Sequence, residues 1–266
     1  MRVEEPLSAD YLARFGGIGR LYGAAALPRL RAANVCVIGV GGVGSWVVEA
    51  LARSGIGALS LVDADDVCIT NTNRQLPALT GTVGRSKVDV LAERVQLIAP
   101  ECKVVRVVDF YTTSNAREIL APAFSFVVDA VDRGSTKAHL LATCRSLALP
   151  VLTSGAAGGR RNAGAIRIAD LGLAGHDELL RQVRRNLRRE HGWPPGNGAM
   201  GVPCVYSVEA PTFPQSDGSC AATPEEGESL RMDCASGFGA ATHITGIFGF
   251  AAAAEVVRRI ASIPPF

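Results

Sequence analysis

The sequence has no cysteine pair spaced as C-x-x-C, which excludes a four-thiolate zinc site of the common kind. An odd, widely scattered set of cysteines also argues against a disulfide framework and is typical of a reducing cytoplasm. The seven lie at positions 36, 68, 102, 144, 204, 220 and 234. The opening segment MRVEEPLSADYLARFGG lacks an apolar stretch, so no signal peptide is predicted.

A strong excess of one charge is also missing. The net charge of the 266 residues is +2, so binding to nucleic acid would require a local basic patch. The segment ELLRQVRRNLRRE supplies one, since helical spacing puts its arginines on one face. These are Arg181, Arg184, Arg185, Arg188 and Arg189. Contact with an RNA backbone is one interpretation, and a solvated face with Glu178 and Glu190 as partial counterions is the other.

One long segment, ASGFGAATHITGIFGFAAAA, carries no charge and is as long as a membrane-spanning helix. Because it is rich in Ala, Gly and Thr and contains His243, it predicts a buried helix packed on a sheet or on a dimer partner. The expected location is therefore the cytoplasm. Peripheral or inner-membrane association through residues 235–257 is the alternative.

Short apolar strands alternate with helices along the first part of the chain. Strands are predicted over residues 34–38, 58–62, 103–108, 124–128 and 151–154, with helices between them. This alternation predicts an α/β fold with a doubly wound, Rossmann-like, mostly parallel sheet. Residues 1–155 form the predicted nucleotide-binding region. Residues 156–266 form the predicted substrate-binding and dimerisation region of the same domain, a C-terminal extension with further strands, a charged helix, a long loop over 192–233 and a final helix.

A glycine-rich turn separates the first strand from the following helix. Gly39, Gly41, Gly42 and Gly44 form G-x-G-G-x-G. Glycines allow the backbone to approach a phosphate, and the helix N-terminus offers free N–H groups. Asp63 ends the second strand and is placed to reach a ribose hydroxyl, and Asp65 follows it. Up to this point the pattern fits NAD and ATP equally.

Cations further along the chain favour ATP. DADDVCITNTNRQ places Asn71, Arg74 and Gln75 beyond the ribose-binding acid, and GRSKVDV places Lys87 at a helix start. A nicotinamide ring needs no charge-neutralising cations. A triphosphate under nucleophilic attack does, because negative charge develops on the phosphate and on the leaving pyrophosphate.

A carboxylate also follows the fourth strand. Asp132 in VVDAVDRGSTK lies at the ligand edge of the predicted sheet, where it would hold Mg²⁺ against the phosphates. Asp129 is a predicted supporting partner. Capping of the next helix by one or both carboxylates is the alternative interpretation.

The motifs GVGGVGS, LVDADDV, TNTNRQ, VGRSK and DAVD, in this order, resemble the ubiquitin-activating-enzyme-like superfamily. RFGGIGRLYG, FPQSDGS and RMDCASGFGAAT narrow the resemblance to the tRNA threonylcarbamoyladenosine dehydratases over almost the whole chain. The resemblance implies ATP- and Mg²⁺-dependent cyclisation of threonylcarbamoyladenosine at position 37 of tRNA. It also implies that Asn71, Arg74, Gln75 and Lys87 bind the triphosphate and that Asp132 holds Mg²⁺.

The resemblance further implies a homodimer, and a cysteine-desulfurase sulfur-acceptor protein as a candidate partner. Sulfur-carrier activators of the superfamily carry an arginine near the N-terminus that reaches across the dimer. Gly17 stands at that place here, and Arg14 or Arg20 are the candidate substitutes. Two other functions stay open on the sequence. One is adenylation of a sulfur-carrier protein with Cys234 or Cys204 as acceptor, and the other is an NAD-dependent oxidoreductase or sensor.

Overall fold

The computed structural model describes residues 6–225 and 238–262. Two helices, α1 (Ala9–Tyr22) and α2 (Ala26–Ala32), precede the first strand. The first βαβ unit follows as β1 (Asn34–Ile38), α3 (Gly44–Arg53) and β2 (Ala58–Val62). Both strands are confirmed at their predicted bounds, because each is a short apolar run with a clear stop at its end.

The alternation then continues through the middle of the chain. Its elements are α4 (Lys87–Ile98), β3 (Lys103–Val107), α5 (Ala116–Ile119), β4 (Phe126–Asp129), α6 (Gly134–Ser146) and β5 (Val151–Ser154). The remaining elements are β6 (Ile166–Asp170), α7 (Glu178–Glu190), β7 (Pro203–Ser207), the short hairpin β8 (Phe213–Pro214) and β9 (Cys220–Ala221), and α8 (Thr242–Ile260).

Seven strands form one sheet in the order β3-β2-β1-β4-β5-β7-β6. All neighbours are parallel except β6, which pairs antiparallel with β7. The predicted α/β class with a mostly parallel, doubly wound sheet is therefore confirmed. Because parallel strands share a direction, the loops that leave β1, β2, β4 and β5 all emerge at one edge.

Alternate residues of each strand pack on opposite faces of the sheet. In β1, Val35 and Val37 contact the face covered by α3, α4 and α8. Cys36 and Ile38 pack on the other face, against α5 and α6. The central strands are thus buried on both sides, which is why β1, β2 and β4 are short, largely apolar runs in the sequence. The edge strands β3 and β6 are mostly exposed or half-buried.

The prediction of a long loop over residues 192–233 is wrong at the centre of that segment. β7 lies within it, between β5 and β6, and four of its five residues are buried. The strand is short, is surrounded by Pro, Gly and Ser, and starts on Pro203, which the first position of a strand tolerates. Its apolar run is too short to be recognised as a strand within a segment so rich in Pro, Gly and Ser.

The C-terminal helix is confirmed as a buried element, with a shifted start. α8 begins at Thr242 and packs mainly against α3. Residues 235–237 of the predicted helix lie outside the described residues. Within the described part of the chain, no helix combines the length and apolar character needed to cross a bilayer.

Candidate nucleotide-binding site

The glycine turn after β1 is tightly packed against the loop after β4. Gly39 has φ +81°, and a Cβ atom there would lie 2.9 Å from the carbonyl oxygen of Ala130. A Cβ at Gly44 would lie 1.9 Å from the Gly39 carbonyl oxygen. These contacts make glycine necessary at both positions. No side chain caps the start of α3 at Val43. An uncapped helix N-terminus of this kind offers its unpaired backbone N–H groups to an anion.

Asp63 joins this turn to the loop after β2. Its Oδ2 accepts from the Val40 N–H at 2.8 Å and its Oδ1 from the Asp65 N–H at 2.9 Å. Burial raises the pKa of Asp63, while the two hydrogen bonds and the charge of Lys87 act in the opposite direction. Asp63 therefore organises the turn through its carboxylate. Each oxygen keeps a further lone pair for a ribose hydroxyl, so the predicted contact stays available.

Lys87 is a nearly buried cation at the same edge. Its Nζ lies 2.7 Å from Asp65 Oδ2, and the lysine side chain is 6% exposed against 52% for the aspartate. The Lys87 backbone N–H also donates to the Asp65 carbonyl at 3.1 Å. Asp65, predicted as a nucleotide contact, is in this structure the counterion of Lys87. An incoming phosphate could compete for the ammonium because the aspartate opens to solvent.

Arg74 and Gln75 lie on the other side of the turn. A Cβ at Gly42 would lie 4.0 Å from Arg74 Cγ, and one at Gly41 would lie 3.6 Å from Gln75 Nε2. Gln75 is 9% exposed, and its Oε1 has no hydrogen-bond partner among the described residues. A buried amide oxygen with no partner is costly unless a ligand or water completes it. The site therefore combines a cation and an unpaired buried amide beside the glycine turn, which are groups that a bound nucleotide can contact.

Asn71 has a structural task within the same segment. It is 3% exposed, and its Oδ1 accepts from the Cys68 N–H at 3.1 Å, which caps the short 3₁₀ turn at Ile69–Asn71. This contact fixes the loop that carries Arg74. The predicted contact of Asn71 with the triphosphate stays a prediction.

The loop after β4 begins with a buried ion pair. Asp129 and Lys137 are both 0% exposed, with Nζ and Oδ2 3.0 Å apart. Thr153 Oγ1 donates to Asp129 Oδ2 at 2.6 Å, and the Val131 N–H donates to Asp129 Oδ1 at 3.2 Å. Asp132 follows as an exposed carboxylate at the ligand edge. The described residues contain no cluster of three or more metal-binding side chains, so any Mg²⁺ here would take most ligands from phosphates and water.

The arginine face of α7 is smaller than predicted. Arg184 Nη1 donates to the carbonyls of Leu171 and Ala174, at 3.2 and 2.8 Å, so it braces the preceding loop. Arg188 is half-buried with its Nε enclosed. Arg181, Arg185 and Arg189 are exposed, and the first and last form ion pairs with Glu178 and Glu190. Three of the five arginines are therefore exposed, and the contact of this face with RNA stays a prediction.

Two further sequence candidates are placed by the structure. Arg14 pairs with Asp10 and contacts the Ile98 carbonyl, at the sheet edge opposite the glycine turn. Cys204 is fully buried in β7, and burial raises its pKa to about 12. A neutral, enclosed thiol is a poor nucleophile, so Cys204 as an acyl or sulfur acceptor is wrong. Cys234 lies outside the described residues.

Sequence reasoning missed the residues that hold Arg74 in place. Asn73 and Thr245 contact it directly. Lys137, the buried partner of Asp129, was missed as well. Asn73 lies in the motif TNTNRQ, but nothing in the sequence indicates that its side chain contacts Arg74. Thr245 belongs to the final helix, and no spacing rule connects it to a loop in the first half of the chain.

Comparisons with known proteins show which family the chain resembles along its length. Residues 17–265 match the model of the ThiF family. The tRNA threonylcarbamoyladenosine dehydratase of Escherichia coli K12 is 46% identical over 256 residues, which cover 96% of each chain.

Crystal structures of the E. coli dehydratase in complex with AMP and with ATP each superpose with a TM-score of 0.86. Their sequence identities are 42% and 41%, and each match covers 97% of this chain and 98% of the other. A sulfur carrier protein adenylyltransferase from Thermus thermophilus matches over only 109 residues, 41% of this chain. The similarity to the dehydratases therefore extends across the whole length, and the similarity to sulfur-carrier activation does not.

Proposed function

The chain belongs to the ThiF family, and from this premise we propose that it is an ATP-dependent tRNA threonylcarbamoyladenosine dehydratase. The observation that carries the proposal is the juxtaposition of the glycine turn with Lys87 and Arg74 at one sheet edge. The full-length likeness to dehydratases with ATP and AMP complexes supports the same conclusion.

The reaction is adenylation followed by ring closure. The threonyl carboxylate of the modified adenosine at position 37 attacks the α-phosphate of ATP, a P–O bond forms, and pyrophosphate leaves. The carbamoyl group of the same side chain then attacks the acyl carbon, loses a proton and displaces AMP. No protein nucleophile is needed, because the closing group is already attached to the substrate and its effective concentration is high.

The protein's contribution is positioning and charge stabilisation. Lys87 and Arg74 flank the turn and neutralise the negative charge that develops on the α-phosphate and on pyrophosphate. Backbone N–H groups at the start of α3 bind phosphate oxygens, and Asp63 accepts from the ribose. The unpaired Oε1 of Gln75 accepts a hydrogen bond from the substrate or from an ordered water.

Asp132 would hold Mg²⁺ against the phosphates. A single exposed carboxylate fits this role, because Mg²⁺ in nucleotide sites is usually held by one or two carboxylates and by the phosphates themselves. The ion supplies charge neutralisation at the phosphates. Asp129 and Lys137 fix the backbone at Val131 and so set where Asp132 projects.

The proposed working form is a cytoplasmic homodimer. In its own protomer Arg14 lies at the edge opposite the glycine turn, so an arginine of α1 that acts on the nucleotide would act on the partner's site. Arg14 and Arg20 are the two candidates, and the latter is exposed. This assignment also fits the place of the superfamily arginine near the N-terminus.

The direct test uses the purified protein, ATP, Mg²⁺ and tRNA that carries threonylcarbamoyladenosine. Mass spectrometry of the digested tRNA should show a nucleoside lighter by one water, with one AMP formed per nucleoside converted. tRNA that lacks the modification is the control and should give no AMP. AMP formation without loss of water would contradict the proposed reaction.

The same assay separates dehydration from sulfur-carrier activation. A dehydratase needs no acceptor thiol, so Cys234→Ser should keep both water loss and AMP formation. Sulfur-carrier activation requires a small acceptor protein and a cysteine. Loss of turnover in Cys234→Ser, together with stimulation by such a protein, would favour that second function.

The exposed arginines of α7 are the proposed tRNA contact. Changing Arg181, Arg185 and Arg189 together to Gln should raise the Kd for tRNA about tenfold near 0.1 M salt and reduce its salt dependence. The Kd for ATP should stay the same. Filter binding or fluorescence anisotropy measures the first, and calorimetry the second.

A matched triple variant controls for net charge. Arg106, Arg117 and Arg167 are also exposed and lie on other elements. If changing these three to Gln weakens tRNA binding equally, the α7 face has no special role.

A further inference from the structure

The motif RMDCASGFGAAT has no role among the nucleotide contacts proposed above for the site. Its described part, residues 238–242, leads into α8 and crosses the ligand edge of the sheet. Gly159, in the loop after β5, donates its N–H to the Gly239 carbonyl at 2.8 Å. Asn73, beside Arg74, donates its Nδ2 to the next carbonyl, Ala240, at 2.9 Å.

The start of α8 holds the backbone of Arg74. Thr245 Oγ1 donates to the Arg74 carbonyl at 2.9 Å, and Trp46 Nε1 donates to the same oxygen at 3.2 Å. Thr242 Oγ1 donates to the Asn73 carbonyl at 2.7 Å. Thr245 is 3% exposed, and its Cγ2 would lie 3.4 Å from a Cβ at Gly42. One threonine therefore touches both the glycine turn and the segment that carries Arg74.

The Arg74 side chain is held from the same direction. Its Nη1 donates to Asn73 Oδ1 at 3.0 Å and to the Thr70 carbonyl at 2.9 Å. The amide of Asn73 thus connects the guanidinium on one side to the Ala240 carbonyl on the other. The Arg74 backbone is thus held by Thr245 of α8 together with Trp46 of α3. Its side chain is held by Asn73, which is itself bonded to the segment that precedes α8.

We infer that Thr245 and Asn73 are positioning residues that aim the Arg74 guanidinium across the glycine turn. The inference rests on the proposed function, because it takes Arg74 to act on the phosphates. Side chains that stabilise a transition state lose much of their effect when displaced by about 1 Å, so their supports matter for the rate. The effect should fall on turnover, because a misaimed guanidinium can still attract ATP.

The test removes one hydroxyl. Thr245→Val keeps the shape of the side chain and loses the donor to the Arg74 carbonyl, and Thr245→Ser keeps the donor. In Thr245→Val, kcat for AMP formation should fall about tenfold, with the Kd for ATP changed less than about threefold. Thr245→Ser should restore most of the rate. Equal rates for Val and wild type would overturn the inference.

A double variant separates positioning from loss of stability. If Thr245 acts through Arg74, the Thr245→Val change should have little effect in an Arg74→Ala background. A full further tenfold loss in the double variant would contradict the inference. Thr143→Val is the stability control, because that half-buried helical hydroxyl donates to the His139 carbonyl, away from the site.

The outcomes also separate this inference from the proposed function. If Arg74→Ala impairs AMP formation and Thr245→Val does not, only the positioning role fails. If the wild-type protein forms no AMP with modified tRNA, the proposed function fails. Asn73→Ala provides a second variant, expected to resemble Thr245→Val because it removes the acceptor of the guanidinium.

Discussion

Lys87→Met should reduce AMP formation at least about a thousandfold, which corresponds to about 4 kcal/mol of lost transition-state stabilisation. The Lys87 side chain is only 6% exposed at the edge that carries the glycine turn, so water would compensate poorly for the loss of its positive charge. Methionine retains the length of the aliphatic stem, so the fold should be preserved. Asp65, the partner left behind, is half exposed and can be hydrated. Single-turnover kinetics with saturating ATP and modified tRNA measures the effect.

The control for this variant is Lys103→Met. That lysine is exposed on the edge strand β3 and has the same side chain in a different setting. It should show wild-type rates, and the melting temperatures of both variants should lie within a few degrees of the wild type. A Lys87→Met protein that is folded and fully active would remove this lysine from the site.

Asp132→Asn should lower the rate of AMP formation by about a hundredfold to a thousandfold at millimolar Mg²⁺. The change preserves size and removes the charge that would hold the ion against the phosphates. Because an amide oxygen is a weaker ligand, the Mg²⁺ concentration that gives half-maximal rate should rise. Calorimetric titration of ATP with and without Mg²⁺ gives a second readout, in which the gain in affinity from Mg²⁺ should shrink.

Asp10→Asn is the matched control, because Asp10 is an exposed aspartate that pairs with Arg14 at the opposite edge. Its Mg²⁺ dependence should equal that of the wild type. An unchanged Mg²⁺ dependence in Asp132→Asn would assign that carboxylate to another task, such as helix capping.

Motif and periodicity predicted the core of the site because its parts are local. β1 and β2 are each a compact apolar run, and the glycine turn and Asp63 follow them directly in the chain. The sheet then brings these ends together by the ordinary geometry of parallel strands. Lys87 and Arg74 could be selected because ATP chemistry needs cations at that edge.

The partners of those residues could not be selected in the same way. The sequence predicts Asp65 as a nucleotide contact, and it does not predict the ion pair of Asp65 with Lys87. Arg184 shares a helical face with exposed arginines but turns back to two backbone carbonyls. In each case the sequence gives the type of residue and its side of the element. The role of each side chain depends on its nearest hydrogen-bond or ion-pair partner, and that partner belongs to another part of the fold.

By itself, the sequence determined the α/β class and indicated the nucleotide edge and the charged residues proposed for adenylation. These depend on local patterns that span a few residues. Only the tertiary structure decided that β7 enters the middle of the sheet and that Cys204 is enclosed. It also decided that Thr245 reaches the Arg74 carbonyl, across a separation of 171 residues. Such contacts arise when distant segments pack together to bury apolar surface and pair their polar groups, and no local pattern records them.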